Sequence, residues 1–523
     1  MPSTPTTSSS PHSGLIARDS QAHARVTLAV LTDNGRSYLY DDVTGAILPW
    51  SALREAILSA HDSGRLFPAV AELKRGYPAA EVESARAFVL HWIERYGAFF
   101  RSRSRDVAIP DAETCSELGR ELCTQLILSV TESCNLRCRY CGYSGNYDNE
   151  RSHSERSMSP ETGRKAIDWF VRFIEPQRAT NPRKQFGLTF YGGEPLLNLE
   201  TVWAVLEYVD QRHPQLFLPT LTTNGLLLTR ETAALLARHR VLTNISLDGP
   251  QEEHDRERVD RTGCGTFERV FCNVTSANDT VPGFRQCAGL LSVYSTRTDL
   301  AATSRFFDEH KGDLPPVLFA MPVKPGHRQF SDTSPAQMED FAVKFRVRVE
   351  AYKERSARQQ PVNSFDNALA GAAIVRVLLR DRIRDTKRPL LPYTGTCVPG
   401  QKVAVRVDGT LDMCERVNDT CPIGHLDTGI DGDAVRRLLS NYRDVVTPDC
   451  WRCAASKLCT LCFAQVMGDG AVKSPASNCE GMLRHWQQAI GDFLSIKEAN
   501  PRASLLYASG SARVTNDARQ CSD

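Results

Sequence analysis

Gln125-Leu126-Ile127-Leu128-Ser129-Val130-Thr131-Glu132-Ser133-Cys134-Asn135-Leu136-Arg137-Cys138-Arg139-Tyr140-Cys141 runs from an apolar stretch straight into three cysteines spaced CxxxCxxC. Residues 125–130 have the length and apolar content of a buried strand, so the cysteines stand on the loop that follows it. Three thiolates on one short loop can hold three irons of a 4Fe-4S cube and leave the fourth iron without a protein ligand. An open iron binds a substrate or cofactor. A zinc site with a fourth ligand elsewhere is the competing use of the same residues.

Outward from this point the strand pattern repeats. Short apolar runs at 186–191, 219–223, 243–247, 288–294 and 317–321 alternate with helical segments such as 160–174 and 199–212. Six βα units imply a parallel sheet, and the sites of such sheets lie at the carboxyl ends of the strands. Tyr191-Gly192-Gly193-Glu194-Pro195 ends the second strand, Thr222-Thr223-Asn224-Gly225 the third and Ser246-Leu247-Asp248-Gly249-Pro250 the fourth. Glycines there let the backbone approach a ligand closely, and an acceptor beside them suits an ammonium group; ordinary turn chemistry is the bland reading.

The remaining chain frames this barrel. At 523 residues it exceeds one ordinary core and suggests about three domains. Hydrophobic residues at 41% and charged ones at 24% are ordinary globular values, and a formal net charge of +1 gives no electrostatic reason to expect nucleic acid as a partner. Residues 1–24 are rich in Ser, Thr and Pro without an apolar signal stretch, so a disordered tail is expected. With no stretch long enough to span a membrane, a cytoplasmic protein without a membrane partner is expected. Residues 25–31 and 36–42 are strand-like around the turn Asp33-Asn34-Gly35. Residues 52–61 and the stripe Val82, Ala85, Val89, Trp92 and Tyr96 are helical, which makes 25–110 a small module of winged-helix character. The barrel is expected over 120–334, a helical bridge over 335–389, a Cys-rich region over 390–490 and a polar tail over 491–523.

Seventeen cysteines are many for a compartment that keeps thiols reduced. Cys115, Cys123, Cys264, Cys272, Cys287 and Cys521 are scattered and read as ordinary small residues, whereas eight crowd between Cys397 and Cys479. Clustered thiols read as metal ligands.

The triad, with an aromatic residue before its last Cys, resembles the signature of the radical S-adenosylmethionine (SAM) superfamily. The resemblance implies an α/β fold built on a partial (β/α)6 barrel. It implies that SAM chelates the open iron and is cleaved, on one-electron reduction, to methionine and a 5'-deoxyadenosyl radical that takes a hydrogen atom from the substrate. Tyr140 would then lie near the adenine, and Gly192, Gly193 and Glu194 at the methionine amino group. Ser246 would touch the ribose and Arg258 the cofactor's carboxylate. No catalytic residue beyond the cluster is assigned. A packing aromatic at Tyr140 and a surface arginine at Arg258 are the bland readings.

Downstream, Cys397, Gly409 with Cys414, then Cys450, Cys453, Cys459, Cys462 and Cys479 resemble the SPASM extension, which binds two auxiliary 4Fe-4S clusters. The match departs in one spacing, because only Thr460-Leu461 separate Cys459 from Cys462. The resemblance implies an outer cluster on Cys450, Cys453, Cys459 and Cys479 and an inner one on Cys397, Cys414 and Cys462. Either Cys421 completes the inner set or its iron stays open to a substrate thiolate. Three 4Fe-4S clusters are thus expected, with two zinc sites as the alternative.

Cys141-Gly142-Tyr143-Ser144-Gly145-Asn146-Tyr147, Arg151, His153 and Met158 are similar to the maturases of Cys-rich peptides, including the thioether-forming ranthipeptide group. Tyr38-Leu39-Tyr40-Asp41, the FYGGEPLLN run and Cys414-Glu415-Arg416-Val417 with Ile423-Gly424 share the similarity. The implied activity is a Cys thioether crosslink in a ribosomally made precursor. Its leader peptide would dock as an added strand on the amino-terminal module, which is otherwise a structural cap. The expected reductant is a ferredoxin or flavodoxin. A formylglycine-forming sulfatase maturase, carbon-carbon crosslinking or epimerisation, and a non-enzymatic metal-binding peptide scaffold are the other readings; Tyr191, where sulfatase maturases usually carry Gln, speaks against the first.

Overall fold

The computed structural model describes residues 23–102, 108–145, 147, 151–323, 333–380, 391, 396–417, 419, 421–468 and 471–505. The tail expected over 1–24 falls outside them up to residue 22, as do 381–389 of the helical bridge, 390 at the start of the Cys-rich region, and 506–523.

The amino-terminal apolar run divides in two. Strand β1 (His23–Arg25) stops at Val26, whose N–H donates to Phe99 O, and β2 (Thr27–Leu31) starts beyond it. The Asp33-Asn34-Gly35 turn, with Gly35 at φ 73, returns the chain as β3 (Ser37–Asp41), antiparallel to β2, and β4 (Ile47–Pro49) pairs on its far side. Helices α1 (Ala52–Asp62), α2 (Leu66–Gly76) and α3 (Ala79–Tyr96) follow, and β5 (Phe100–Ser102) pairs with β1. Of the helical stripe read from the sequence, Val82, Ala85 and Val89 are buried with Leu39, Ile57 and Phe99 in a small core.

After α4 (Ala112–Leu122) comes β6 (Gln125–Thr131), which opens the barrel. Its units are α5 (Pro160–Phe173), α6 (Glu175–Thr180), β7 (Phe186–Gly192), α7 (Leu199–Arg212), β8 (Phe217–Thr223), α8 (Arg230–Arg238) and β9 (Leu242–Ser246). Then follow α9 (Gln251–Glu257), α10 (Phe267–Thr280), β10 (Ala288–Tyr294), α11 (Leu300–Glu309) and β11 (Val317–Pro322). Each of the six strands is parallel to the next, in the order β6 to β11. Ser159, Thr229 and Asp299 cap α5, α8 and α11, each accepting from a first-turn N–H. The expected α/β partial barrel is present.

Past α12 (Pro335–Ala357), α13 (Ser364–Asp366) and α14 (Ala372–Leu378), the chain returns to the sheet. Strand β12 (Lys402–Val405) lies parallel to β6, and β13 (Thr410–Asp412), β14 (Gly424–His425) and β15 (Gly429–Ile430) continue antiparallel. The result is one ten-stranded sheet running from the barrel into the Cys-rich region. Helix α15 (Gly432–Val446), α16 (Phe463–Val466), the hairpin β16 (Met467–Gly468) with β17 (Ala471–Val472) and α17 (Ala476–Ala499) complete the chain. Where a tail is expected from 491, α17 continues to Ala499, because Leu494 and Ile496 are buried, with Phe493 packed beside them, past Ile490. Among the described residues no helix is long and apolar enough to cross a membrane.

Candidate active site and cysteine centres

The triad loop leaves the carboxyl end of β6 and is tied to the segment after α9. Arg137 N–H donates to Val259 O (2.7 Å), Arg139 N–H to Glu257 O (2.9 Å), and Leu136 bridges Asp260. Arg261 donates to Cys134 O (3.0 Å) and Arg137 to the same carbonyl (2.8 Å). The three thiols lie within each other's electrostatic reach, and burial pushes Cys134 up to about 11 and Cys138 up to about 12. Buried thiols of this kind ionise in favour of a cation, as a cluster iron provides. Two already accept backbone donors, from Leu136 N–H to Cys134 Sγ and from Tyr143 N–H to Cys141 Sγ, both 3.4 Å. Such N–H···S contacts are among those that tune cluster potentials. The donor set therefore fits a 4Fe-4S cluster.

Beside the loop, β7 ends against β6 with almost no clearance. Gly193 N–H donates to Thr131 O (2.8 Å) and Glu194 N–H to Ser133 O (2.9 Å). A Cβ on Gly193 would meet Ser133 O at 2.1 Å, and one on Gly192 would meet Thr131 O at 2.1 Å. The glycines of this run are required by backbone contact with the very loop that carries Cys134. The Glu194 carboxylate turns inward and accepts from Leu196 N–H (3.0 Å), Thr223 Oγ1 (2.8 Å) and Asn224 N–H (2.7 Å), joining the ends of β7 and β8. Burial pushes it up to about 7 against those donors. Asn224 in turn donates to Asn135 Oδ1 at 2.7 Å, inside the triad loop.

At the end of β9, Ser246 is buried, and Asp248 gathers what the motifs scatter. Its Oδ2 accepts from Tyr140 Oη (2.6 Å) and from Arg258 Nε (2.9 Å), while Oδ1 accepts from Val293 N–H (3.0 Å). Arg258 is buried, so it is no surface arginine; its guanidinium lies 5.3 Å from the Tyr140 ring, and Nη1 is 3.9 Å from Cys138 Sγ. Burial opposes the Arg258 charge, but Asp248 holds it well into the protonated range. His254 supports the arrangement from below: Asp248 N–H points at its Nδ1 (3.5 Å), and its Nε2 faces Thr266 Oγ1 (3.1 Å), which donates to Arg258 O (3.0 Å).

Sequence reasoning did not single out a second group, on the Cys141 side. Tyr143, Tyr191 and Glu415 are electrostatic neighbours of one another, both tyrosines also feel Cys141, and burial pushes the Tyr143 phenol up to about 12. Arg151 lies beside Tyr143 and pairs with Asp412 (2.6 Å) and Asp419 (2.5 Å), and Arg406 holds the other side of Asp412. The juxtaposition joins β13 to the triad loop. Tyr191 stands out in the sequence as a departure from Gln, whereas Glu415 lies in a run quoted only for its similarity, and nothing in the spacing sets the two side by side.

In the Cys-rich region, Cys450 lies in the fields of Cys453, Cys459 and Cys479, which brings together the four residues of the outer set. Cys459 Sγ accepts Leu461 N–H (3.4 Å), whereas Cys450 Sγ faces Val446 O (3.5 Å). Of the inner set, Cys397 precedes β12, Cys414 follows β13, Cys421 precedes β14 and Cys462 caps α16; all are half-buried. Cys414 Sγ accepts Arg416 N–H (3.4 Å) and lies 3.2 Å from Glu415 Oε2. Among the described residues, no three His, Cys, Asp or Glu side chains close around a single-ion position.

Residues 128–290 match the family model of the radical SAM superfamily, so this part of the chain is a radical SAM domain. Over 148 residues the chain is 30% identical to a cysteine-type anaerobic sulfatase-maturating enzyme of Clostridium perfringens, a stretch that is 28% of this chain and 38% of that relative. It is 29% identical over 133 residues to the radical SAM cyclopropyl synthase TigE of Paramaledivibacter caminithermalis, covering 24% of this chain and 27% of that one. The chain thus spans well under half the length of these curated relatives. Among solved structures, native anSMEcpe with bound AdoMet and Cp18Cys peptide superposes with a TM-score of 0.52 at 20% identity, covering 74% of this chain and 99% of that one. The fold is shared.

Proposed function

We propose that this chain is a radical SAM maturase that crosslinks a ribosomally made precursor peptide, with a Cys thioether as the bond formed. The observation that carries the reading is the convergence of Cys134, Cys138 and Cys141 with the Gly192–Gly193 approach and the Tyr140–Asp248–Arg258 set at one end of the barrel. When bound there, a 4Fe-4S cluster with SAM supplies a 5'-deoxyadenosyl radical that removes a hydrogen atom from carbon. Arg258, oriented by Asp248, presents the guanidinium that suits the cofactor's carboxylate, and Tyr140 and Ser246 line the approach of its nucleoside. Glu194 keeps the ends of β7 and β8 together. Glu415, an electrostatic neighbour of the phenols of Tyr143 and Tyr191, is the acceptor assigned to the proton that a substrate thiol must lose.

The Cys-rich region is assigned auxiliary clusters, the outer one on Cys450, Cys453, Cys459 and Cys479 and an inner one using Cys397, Cys414 and Cys462, with Cys421 as its candidate fourth ligand; such clusters would take up the electron left over when the carbon radical and the thiolate join. Residues 25–110 are assigned to the leader. Alternation along β4 turns Ile47 and Pro49 to its open edge, and Pro49 has no N–H and gives its carbonyl to Arg54. An added strand therefore finds few ladder bonds at this edge, and recognition rests on side-chain pockets. A ferredoxin or flavodoxin is the proposed reductant.

Formylglycine formation is the second reading, favoured by the similarity to sulfatase-maturating enzymes. One experiment separates the two. The reconstituted enzyme is given a reductant, SAM and a short Cys-rich precursor, and the peptide is weighed: a thioether loses two hydrogens and keeps its sulfur, whereas formylglycine made from Cys loses the sulfur. Cys134→Ala, Cys138→Ala or Cys141→Ala should abolish 5'-deoxyadenosine formation; a triple variant that still makes it ends the account.

A further inference from the structure

The loop from Cys450 to Cys459 has little regular structure of its own beyond one 3-10 turn (Cys450–Arg452). What fixes it comes from the opposite end of the chain. Asp42, just past β3, and Arg101, in β5, are both buried and form an ion pair at 2.7 Å. Arg101 Nη1 donates to Trp451 O (3.3 Å) and Cys453 O (3.4 Å). Asp42 accepts from Ser456 Oγ through Oδ2 and from Lys457 N–H (3.1 Å) through Oδ1, which also takes Tyr40 Oη (3.0 Å). Two side chains of the amino-terminal module thus hold the carbonyls of Trp451, next to Cys450, and of Cys453 itself, together with the Ser456 hydroxyl and the Lys457 N–H between Cys453 and Cys459. Tyr40 packs with Ala455 and Leu458 beneath them.

We infer that Asp42 and Arg101 are positioning residues for the outer cysteine centre, so that the amino-terminal module forms part of that centre's supporting shell. Carbonyls and N–H groups adjacent to ligating thiols set where the sulfurs stand, and an ion pair inside the protein holds them only while both charges are present. The contacts described run to the backbone and to Ser456 rather than to the thiols, and the module's small core is built from apolar side chains such as Leu39, Ile57 and Val89. The inference rests on the reading that Cys450, Cys453, Cys459 and Cys479 bind a cluster.

The test removes activity from the readout. In full-length protein with Cys134, Cys138 and Cys141 all changed to Ala, reconstituted iron reports on the Cys-rich region alone. The rate at which a chelator withdraws that iron should rise about tenfold in Asp42→Asn and in Arg101→Gln, the usual cost of losing a partner behind a metal ligand. Asp33→Asn, which releases Lys353 at the module's other attachment, should leave the rate unchanged. Wild-type rates in Asp42→Asn and Arg101→Gln overturn the inference, and an equal rise in Asp33→Asn overturns it too, by showing general loosening. If neither pair variant folds, Ser456→Ala decides: a rise of about threefold supports it and no rise overturns it. Should Cys450→Ala retain as much iron as its parent, the cluster reading itself fails, a result distinct from the others.

Discussion

His254 shows how much at this site depends on a single neutral side chain. Its Nδ1 faces Asp248 N–H, so that nitrogen is the acceptor, and Nε2 must carry the one proton that Thr266 Oγ1 receives. A second proton has no place, and burial lowers its pKa to about 4. The unfolded chain takes up that proton near pH 6.5 while the folded one refuses it, so stability falls as the pH drops from 6.5 towards 4. The span corresponds to about 3 kcal/mol at most. His254→Gln cannot take the proton, and its urea midpoint should fall less than the wild type's between pH 7 and 4.5; parallel declines would refute the assignment. At this scale the sequence was legible wherever a motif carried the chemistry: the triad, Gly192, Gly193, Ser246 and Arg258 fall at one end of the barrel. Asp248 was quoted only as part of a turn, because its partners Tyr140 and Val293 come from other strands' ends. Glu415 was hidden for the same reason, since no local spacing relates it to Tyr191.

Among the elements, the six barrel strands could be read because each is a short run holding apolar residues, continuous in β6 and alternating in β7, set between helices with polar faces. Strands of two or three residues, β4 and β13 to β15, carry too few positions to show any period, and the continuity of the sheet from β6 into β12 depends on a pairing between residues far apart in sequence. The boundary drawn at 390 follows composition, whereas the hydrogen-bond ladder ignores it. The seam between β6 and β7 is where an element's geometry bears on the site. Gly193→Ala must displace Ser133, whose carbonyl would lie 2.1 Å from the new Cβ, and Cys134 is the next residue. Since the obstacle is backbone rather than a flexible side chain, the loop moves, and misplacement of this kind costs about a hundredfold in rate. Iron bound at the triad and 5'-deoxyadenosine formation should both drop, with helix content by circular dichroism unchanged. Full iron loading at the wild-type rate would mean that the close approach has no part in holding the loop.

For the whole molecule, the amino-terminal module reads from sequence as a leader-binding unit whose deletion, over residues 1–110, should weaken precursor binding more than it weakens cofactor cleavage, with a structural cap as the other reading. The structure gives it two faces. One is its private core with α1 and α3; the other packs Val30 and Tyr40 against Ala455, Leu458, Trp486, Ile490 and Leu494. Its turn is pinned as well, by Lys353 to Asp33 and by Asn34 and Tyr38 to Glu498. Burying a large apolar side chain contributes about 1.5–3 kcal/mol, so loss of Val30 and Tyr40 together approaches the 5–15 kcal/mol that separates folded from unfolded domains. A chain lacking residues 1–102 should therefore melt well below the full-length protein and expose α17 to protease, with Trp486 fluorescence shifted to that of a solvated indole. The proposed leader recognition is then tested in the intact protein: it requires protection of the Ile47 amide from hydrogen exchange when leader peptide is added, and unchanged exchange would speak against it. A truncated chain that melts at the full-length temperature and keeps α17 protected would show that the shared core contributes nothing to holding the carboxyl-terminal region together.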